Sequence, residues 1–444
     1  MKPTSLFAIL LALIGLVIFS PVLVRGEEPR LLEQLGKQIF FDPQLSNPVG
    51  QSCASCHHPA TGFTGPQAKI NLEGAVMEGA VKGRFGKRKP PTVSYASFSP
   101  SFSRDPKSGD TTGGQFWDGR AHTLTDQATG PLLNPLEQNN ADAVALFKKL
   151  QHSSYRPLFE KVHGAGTLED SPENVNQVLS RIAASLAAYE SSHEVNPFSS
   201  KYDAYLAGQA KLSPSEARGL ELFAGKANCA NCHPHKPGDD GSPPLFTDFT
   251  YDNLGIPRNR LNPFYRMPAD INPDGEQHVD LGLYETVKEQ ELRGAFKVPT
   301  LRNVDRRPHP GFVKAYTHNG YFKSLKDVIH FYNLRDVRPG DFPPAEVPET
   351  VNHEELGNLK LTDAEENDLV AFLKTLTDGY MDSDQVAEKT PKVEKIPQRG
   401  QPVSSPVVAR PATFQRANDL QRIQQFRRQY QQTARPDTPQ KSTR

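Results

Sequence analysis

Apolar residues recur at helical intervals in four stretches of the chain, residues 35–40, 175–189, 218–223 and 369–376. Spacings of three and four place such residues on one face of an α-helix. Capping residues precede the last three stretches, namely Ser171, Ser213 and Thr362. Alternating patterns typical of β-strands are sparse. The sequence therefore predicts a mainly α fold with long loops and little β structure.

Both ends of the chain depart from this pattern. Lys2 followed by an apolar or small run over residues 6–19 is typical of an export signal, which predicts a signal peptide over residues 1–26. Residues 6–24 are also long enough to span a bilayer, so a retained N-terminal membrane anchor is the alternative. Either one places the body of the protein outside the cytoplasm, and we expect the periplasm. Residues 382–444 are a basic tail rich in Pro and Gln, which we expect to be disordered because it buries too little apolar surface.

Composition narrows the functional class. The 444 residues contain 51 Lys and Arg against 51 Asp and Glu, which gives a formal net charge of zero. A protein built to bind nucleic acid would carry a basic excess, so the balance argues against that class. The chain has only four cysteines, and their placement is the strongest signal in the sequence.

The cysteines form two Cys-x-x-Cys-His motifs, Cys53, Cys56 and His57 in the first and Cys229, Cys232 and His233 in the second. In c-type cytochromes two closely spaced thiols attach the haem, and the adjacent histidine binds its iron. A disulfide needs no histidine, and a structural zinc ion would need four ligands in one cluster. The sequence therefore predicts two covalently bound haem c groups, with His57 and His233 as iron ligands.

Similar sequence surrounds the two motifs. A Gly and a Phe four residues apart precede each motif, and a longer apolar stretch follows each one as a closing helix. These pairs are Gly36 with Phe40 and Gly219 with Phe223. The repeated order predicts two cytochrome-c-like haem domains, the first over residues 27–200 and the second over residues 201–381.

Two further blocks of sequence point to a family. The first comprises residues 115–121 and 134–137, and the second comprises residues 296–304 and 316–320. Together with the two haem motifs in this order, they resemble the bacterial dihaem cytochrome c peroxidases and the related MauG enzymes over residues 31–380. The resemblance implies an N-terminal peroxidatic haem domain and a C-terminal electron-transfer haem domain.

The resemblance also implies roles for three side chains. Glu137 is the acid and base of the distal pocket, and Gln127 is its hydrogen-bonding neighbour. Splitting peroxide needs a group that moves a proton between its oxygens, and a desolvated carboxyl with a raised pKa suits that task. Trp117, the only tryptophan of the chain, matches the residue that lies between the two haems of the family and couples them.

The histidine pattern departs from peroxidases that need reductive activation. In those enzymes a second histidine caps the N-terminal haem, from a loop that follows the haem motif. Here no histidine occurs between His58 and His122, and His58 is too close to His57 to reach the opposite haem face. We therefore expect the first haem to be open in the resting enzyme, as in MauG.

The resemblance leaves the other ligands less defined. The family places the distal ligand of the second haem near residues 315–320, where no methionine occurs. Tyr316 is the first candidate, Met267 the second and His318 the third. A calcium ion lies between the domains in the family, but Lys89 stands where an asparagine ligand is usual, which puts calcium in doubt.

These inferences predict a periplasmic dihaem cytochrome c peroxidase that reduces hydrogen peroxide to water. A small cytochrome c or cupredoxin would supply the electrons. The alternative enzyme is a MauG-like oxidase that modifies a partner protein. The alternative of another class is a dihaem electron carrier without catalysis. The expected open first haem and the presence of Glu137 argue against a carrier. The sequence leaves the physiological donor open, and likewise the oligomeric state, including a homodimer.

Overall fold

The computed structural model describes residues 27–381. The predicted signal peptide and the predicted tail lie outside the described residues. The predicted mainly α fold is confirmed, because helices dominate and the strands are short. Within residues 27–381, no helix combines the length and the apolar character needed to cross a membrane.

The elements follow one another in a helix-rich order with long connections. The α-helices are α1 (Glu27–Phe41), α2 (Ala68–Leu72), α3 (Leu124–Leu133), α4 (Ala143–Gln151), α5 (Arg156–His163), α6 (Pro172–Glu190), α7 (Lys201–Leu206), α8 (Pro214–Ala224), α9 (Cys229–Cys232), α10 (Tyr284–Val287), α11 (Leu325–Leu334) and α12 (Asp363–Lys374). Two antiparallel pairs of short strands join β1 (Ser103–Arg104) to β2 (Thr111–Thr112) and β3 (Tyr251–Asp252) to β4 (Phe296–Lys297).

The predicted helix starts are confirmed. Ser171, Ser213 and Thr362 each accept a hydrogen bond from the third backbone N–H of the helix that follows. Pro172 and Pro214 occupy the first helical position, where the missing N–H costs nothing because that group has no partner within the helix. Local sequence therefore determines where α6, α8 and α12 begin.

In both halves a glycine lets the early helix pack closely on the closing helix, α1 on α6 and α8 on α12. A Cβ on Gly36 would lie 1.8 Å from the carbonyl oxygen of Ser185. A Cβ on Gly219 would lie 2.0 Å from the carbonyl oxygen of Asp368. These distances are far inside van der Waals contact, so any larger residue would push the helices apart.

Buried apolar side chains form two large clusters, one from residues 35–195 and one from residues 202–376. Cys53 packs against the first cluster and Cys229 packs against the second. Each haem motif therefore has its own hydrophobic core. The two clusters support the predicted division of the chain near residue 200, which remains a proposal.

Candidate functional site

The first Cys-x-x-Cys-His motif turns so that its histidine is held by backbone. The His57 N–H donates to the carbonyl oxygen of Cys53 at 2.9 Å. The ring Nδ1 lies 3.2 Å from the carbonyl oxygen of Phe63 and 3.0 Å from that of Pro91. Carbonyl oxygens only accept hydrogen bonds, so Nδ1 carries the proton and Nε2 carries the lone pair that can bind a metal.

The second motif has the same arrangement. It forms the short helix α9, and the His233 N–H donates to the carbonyl oxygen of Cys229 at 2.9 Å. The His233 Nδ1 lies 2.7 Å from the carbonyl oxygen of Phe246, which again leaves Nε2 free for a metal. Burial lowers the pKa of both histidines, that of His57 to about 4. Both rings are therefore neutral, as metal coordination requires.

The surroundings of the second motif fit a haem. Cys229, Cys232 and His233 line a cavity with largely apolar walls. Apolar members of the lining include Leu254, Ile256, Leu325, Val328, Ile329 and Leu356. Burial raises the pKa of all four cysteine thiols to about 12, so they are neutral thiols. Among residues 27–381, no group of three or more His, Cys, Asp or Glu side chains is arranged to hold a bare metal ion. Thiols, a neutral imidazole and apolar walls together match the needs of an attached haem.

Glu137 lies in the loop after α3, next to the first motif. Its carboxylate is close enough to Cys56 to raise the pKa of that thiol, in addition to the larger effect of burial. Asn134 Nδ2 donates a 2.9 Å hydrogen bond to Glu137 Oε1 and fixes the carboxylate. Burial raises the pKa of Glu137, and the charge of Arg120 opposes part of that rise. A carboxyl of this kind exchanges its proton closer to neutral pH than an exposed one.

Gln127 projects from α3 and is partly buried. Its backbone N–H donates to the carbonyl oxygen of Thr123 at 3.1 Å. No hydrogen bond joins its side chain to Glu137 in the part of the chain that the structure describes. The structure thus places both residues on or just after α3 but does not bring them into direct contact, and the role of Gln127 stays a prediction.

The histidines and the methionine that follow the first motif most closely in sequence are His58, Met77 and His122. His58 is exposed, and its Nδ1 accepts a hydrogen bond from the Ala60 N–H at 3.2 Å. His122 is exposed, and its ring packs edge-on against Phe102. Met77 is 7% exposed and lies against Gly65. These placements agree with the expectation of an open first site, which remains a prediction.

Trp117 lies where the two halves of the chain meet. Its Nε1 donates a 2.8 Å hydrogen bond to the carbonyl oxygen of Lys89, whose N–H donates to the carbonyl oxygen of His318 at 2.8 Å. The Lys297 N–H donates to the Trp117 carbonyl oxygen at 2.9 Å. The indole is 8% exposed and lines the same cavity as His233. Hydrogen bonds from its indole and to its backbone carbonyl therefore connect Trp117 to both halves.

An ion-pair network that the sequence analysis missed fixes the backbone beside Trp117. The Arg88 guanidinium lies between Asp118 and Asp280, with an N–O distance of 2.6 Å to each. Burial opposes ionisation of Asp118, but Arg120 and Arg88 outweigh it and hold the pKa of Asp118 below its usual range. All three members of the network are buried, so the segment around the indole is held firmly.

The structure separates the three candidates for the distal ligand of the second haem. Tyr316 lines the cavity, but its hydroxyl accepts a 3.1 Å hydrogen bond from Arg307. His318 lines the cavity, and its ring stacks on Phe296 with a centroid distance of 3.5 Å. Met267 belongs to a separate apolar cluster and is not among the lining residues. Tyr316 and His318 are therefore better placed than Met267.

Tyr332 is a cavity residue that the sequence analysis did not consider. Burial raises its pKa, and the thiols of Cys229 and Cys232 are close enough to add to that effect. Its ring packs against that of Phe331 with a centroid distance of 6.0 Å. The signal was present in the sequence, because Tyr332 follows Leu325 at helical spacing on the face of α11 that lines the cavity.

Comparisons with known proteins agree with this geometry. Residues 31–211 match the family described as "Di-haem cytochrome c peroxidase". The chain is 37% identical over 388 residues to the methylamine utilization protein MauG of Paracoccus denitrificans (strain Pd 1222), which covers 83% of this chain and 95% of that protein. It is 28% identical over 364 residues to the cytochrome c551 peroxidase of Nitrosomonas europaea, with coverages of 82% and 85%. The crystal structure of the diheme peroxidase BthA from Burkholderia thailandensis E264 matches with a TM-score of 0.66 at 34% identity and covers 78% of this chain and 86% of that chain.

Proposed function

Because the chain belongs to the family of dihaem cytochrome c peroxidases and MauG proteins, we propose that it reduces hydrogen peroxide to water with electrons from a small redox protein. The family is one of haem-containing oxidoreductases. The observation that carries the peroxidase proposal is the placement of Glu137. A partly buried carboxyl with a raised pKa lies beside Cys56 and is oriented by Asn134.

The proposal assigns haem attachment to the two motifs. Cys53 and Cys56 would hold the first haem, and Cys229 and Cys232 would hold the second. The Nε2 atoms of His57 and His233 would bind the two irons, since backbone carbonyls occupy Nδ1 in both rings. When bound, a haem would supply an iron that exchanges electrons and binds peroxide.

Glu137 moves the proton in this proposal. Reduction of one peroxide consumes two electrons and two protons and yields two water molecules. The Glu137 carboxylate takes the proton from one peroxide oxygen and returns it to the other oxygen, which then leaves as water. The hydrogen bond from Asn134 Nδ2 keeps one carboxylate oxygen oriented, so the other oxygen remains available to the peroxide.

Trp117 provides the connection between the two sites. Electrons from a small cytochrome c or cupredoxin would enter at the second motif and pass the indole on the way to the first. The position of Trp117 in the cavity wall of His233, together with its bond to Lys89, supports this route. The proposal includes export to the periplasm, for which the apolar N-terminal segment is the basis.

A MauG-like oxidation of a partner protein is the second candidate. The observation that favours it is the 37% identity to MauG over 95% of that protein's length. In this alternative the electrons that reduce peroxide would be withdrawn from side chains of a bound partner and not from a soluble donor.

Steady-state turnover distinguishes the two candidates. Purified holoprotein is mixed with hydrogen peroxide and an excess of a reduced cytochrome c or a reduced cupredoxin, and the oxidation of the donor is followed optically. We expect two donor molecules to be oxidised for each peroxide consumed. Rapid peroxide reaction at the haems without sustained oxidation of either donor would overturn the peroxidase proposal and favour the partner oxidase.

A further inference from the structure

The loop that carries Glu137 is held by a turn of the first half, residues 79–85. The Ala80 N–H donates to the carbonyl oxygen of Glu137 at 2.7 Å. The Arg84 side chain is 5% exposed, and its Nη1 donates to the carbonyl oxygen of Pro135 at 3.3 Å. The turn is therefore bonded to the backbone of Glu137 itself and to the backbone just before it.

A small apolar cluster of the second half packs on both pieces of chain. Phe85, at the end of the turn, and Leu136, immediately before Glu137, are half-buried and pack against this cluster. The cluster consists of four residues that are 4–7% exposed, namely Phe264, Tyr265, Met267 and Ile271. Side chains of the second half therefore cover the turn and the loop that together hold the Glu137 backbone.

A hydrogen bond reinforces the same contact. Asn262 is 1% exposed, and its Nδ2 donates to the carbonyl oxygen of Lys87 at 2.7 Å. Its Oδ1 accepts from the Phe264 N–H at 3.0 Å, which fixes the start of the segment that carries the apolar cluster. One side chain thus joins the chain that leaves the turn to the cluster that covers it.

The position of Glu137 depends on such contacts from outside its loop. Asn134 orients the carboxylate, but it belongs to the same loop and would move with it. A general acid and base must lie within hydrogen-bond reach of the proton that it transfers. A misplacement of about 1 Å can lower the rate about a hundredfold. Contacts that hold the whole loop are therefore as important as the bond to the carboxylate.

We propose that Asn262 and the apolar cluster of residues 264–271 are positioning residues for Glu137. They belong to the second half, so the half that would receive electrons also sets the geometry of the peroxide site in the first half. The inference rests on the role that the proposed function gives to Glu137. It holds for a peroxidase and for a partner oxidase, because both must split peroxide.

Two asparagine variants test the coupling. Asn262→Ser keeps a side-chain oxygen for the Phe264 N–H but removes the bond to Lys87. Asn333→Ser is the matched control, because Asn333 is also 1% exposed and its side chain also bonds backbone groups. These groups are the carbonyl oxygen and the N–H of Leu361, both at 2.9 Å, so the control loses bonds within the second half only.

Amide hydrogen exchange of the holoprotein shows whether the second half holds the loop. We expect faster exchange in residues 78–86 and 134–139 of Asn262→Ser. In Asn333→Ser, exchange in these two stretches should equal that of the wild type. Equal exchange in all three proteins would overturn the proposal.

The reaction of the oxidised holoprotein with hydrogen peroxide, measured by stopped flow without a donor, tests the consequence. The second-order rate constant should fall about fivefold in Asn262→Ser, the rate equivalent of one hydrogen bond. It should be unchanged in Asn333→Ser. Faster exchange beside Glu137 with an unchanged rate constant would refute a positioning role. No donor is oxidised in this measurement, so a failure of donor turnover leaves it interpretable.

A double-mutant cycle separates positioning from a general loss of structure. In the Glu137→Gln background, Asn262→Ser should have no further effect on the rate constant, because the carboxyl that it positions is gone. The same fold loss in both backgrounds would contradict the proposal. A Glu137→Gln protein that reacts at the wild-type rate would refute the role of Glu137 and with it this proposal, and the exchange data distinguish that failure from a missing contact.

Phe85→Ala tests the apolar contact without changing Asn262, and it can be measured if Asn262→Ser does not fold. The Phe85 ring is only half-buried, so the protein should remain folded. We expect faster exchange in residues 134–139 and a lower rate constant for peroxide. Wild-type values of both would contradict the role of the cluster.

Discussion

The indole Nε1 of Trp117 donates a 2.8 Å hydrogen bond to the carbonyl oxygen of Lys89. The Lys89 N–H in turn donates to the carbonyl oxygen of His318. Lys89 therefore links the indole to another residue in the wall of the cavity that His233 lines. The bond fixes the orientation of the ring at the meeting point of the two halves. An orientation that is fixed in this way is suited to electron transfer between two sites.

Replacement of the indole tests this relationship. Trp117→Phe removes the hydrogen bond to Lys89 and should cost about 1 kcal/mol of stability, the usual net value of such a bond. Peroxide should still react at the first haem, while oxidation of the second haem should become slower. Stopped-flow spectra report both events separately. If the two haems are oxidised together at the original rate, Trp117 serves only packing.

Glu137→Gln should keep both haems but lower peroxide turnover by about 10²–10⁴, the usual contribution of a general acid and base. The amide cannot take up and return the proton. Glu190→Gln is the matched control, because Glu190 is a buried carboxyl close to Cys53 to which we assign no catalytic role. Unchanged turnover in Glu137→Gln, or an equal loss in the control, would place the catalytic carboxyl elsewhere.

The same carboxyl sets the acid limb of the pH profile. The carboxylate form takes up the peroxide proton, so turnover should fall as the pH decreases through the pKa of Glu137. Because burial raises that pKa, the midpoint should lie above the ordinary value of 4.5. Arg120 lowers the pKa of Glu137, so Arg120→Met should move the acid limb to higher pH. A shift to lower pH would contradict the assignment.

A tyrosine should be the sixth ligand of the second haem, and two variants decide which one. Tyr316→Phe should change the spin state and raise the reduction potential of that haem, since Tyr316 lines the cavity of His233 and the hydrogen bond from Arg307 leaves a lone pair on its oxygen. Tyr332→Phe should change neither, because Tyr332 lies beside Cys229 and Cys232, the thiols of the motif that already supplies His233. Electron paramagnetic resonance of the oxidised protein measures the spin state. The opposite outcome would make Tyr332 the ligand.

The oxidised enzyme should need no reductive activation. No histidine lies between His58 and His122, and both of these rings are exposed. The first haem should therefore be high-spin when fully oxidised and should react with peroxide at once. Prior reduction by one electron should not increase the rate. An inert oxidised protein would mean that another side chain caps the haem, and Met77→Leu would be the first variant to examine.

The protein should contain two covalently attached haems per chain. Each motif supplies two thiols and one histidine, and no cysteine is left over. Pyridine haemochrome absorbance against protein mass should give a ratio of two, and Cys229→Ala with Cys232→Ala should reduce covalent attachment to one. Haem that is extracted by acidic solvent from the unaltered protein would refute covalent attachment.

The sequence by itself determined the local features of this protein. The capping residues Ser213 and Thr362 define helix starts through contacts within one turn, and the two Cys-x-x-Cys-His motifs carry their chemistry in five consecutive residues. The glycines of α1 and α8 were visible as a repeat. What they do, however, depends on the backbone of α6 and α12, which lies far away in the chain.

Only the tertiary structure decided which distant residues meet. It placed Glu137 beside Cys56, bonded Tyr316 to Arg307, and brought Tyr332 to the second motif. It also buried Lys314 among carbonyl groups of both halves. None of these contacts follows from spacing along the chain, because each one depends on how the long loops fold back over the two hydrophobic cores.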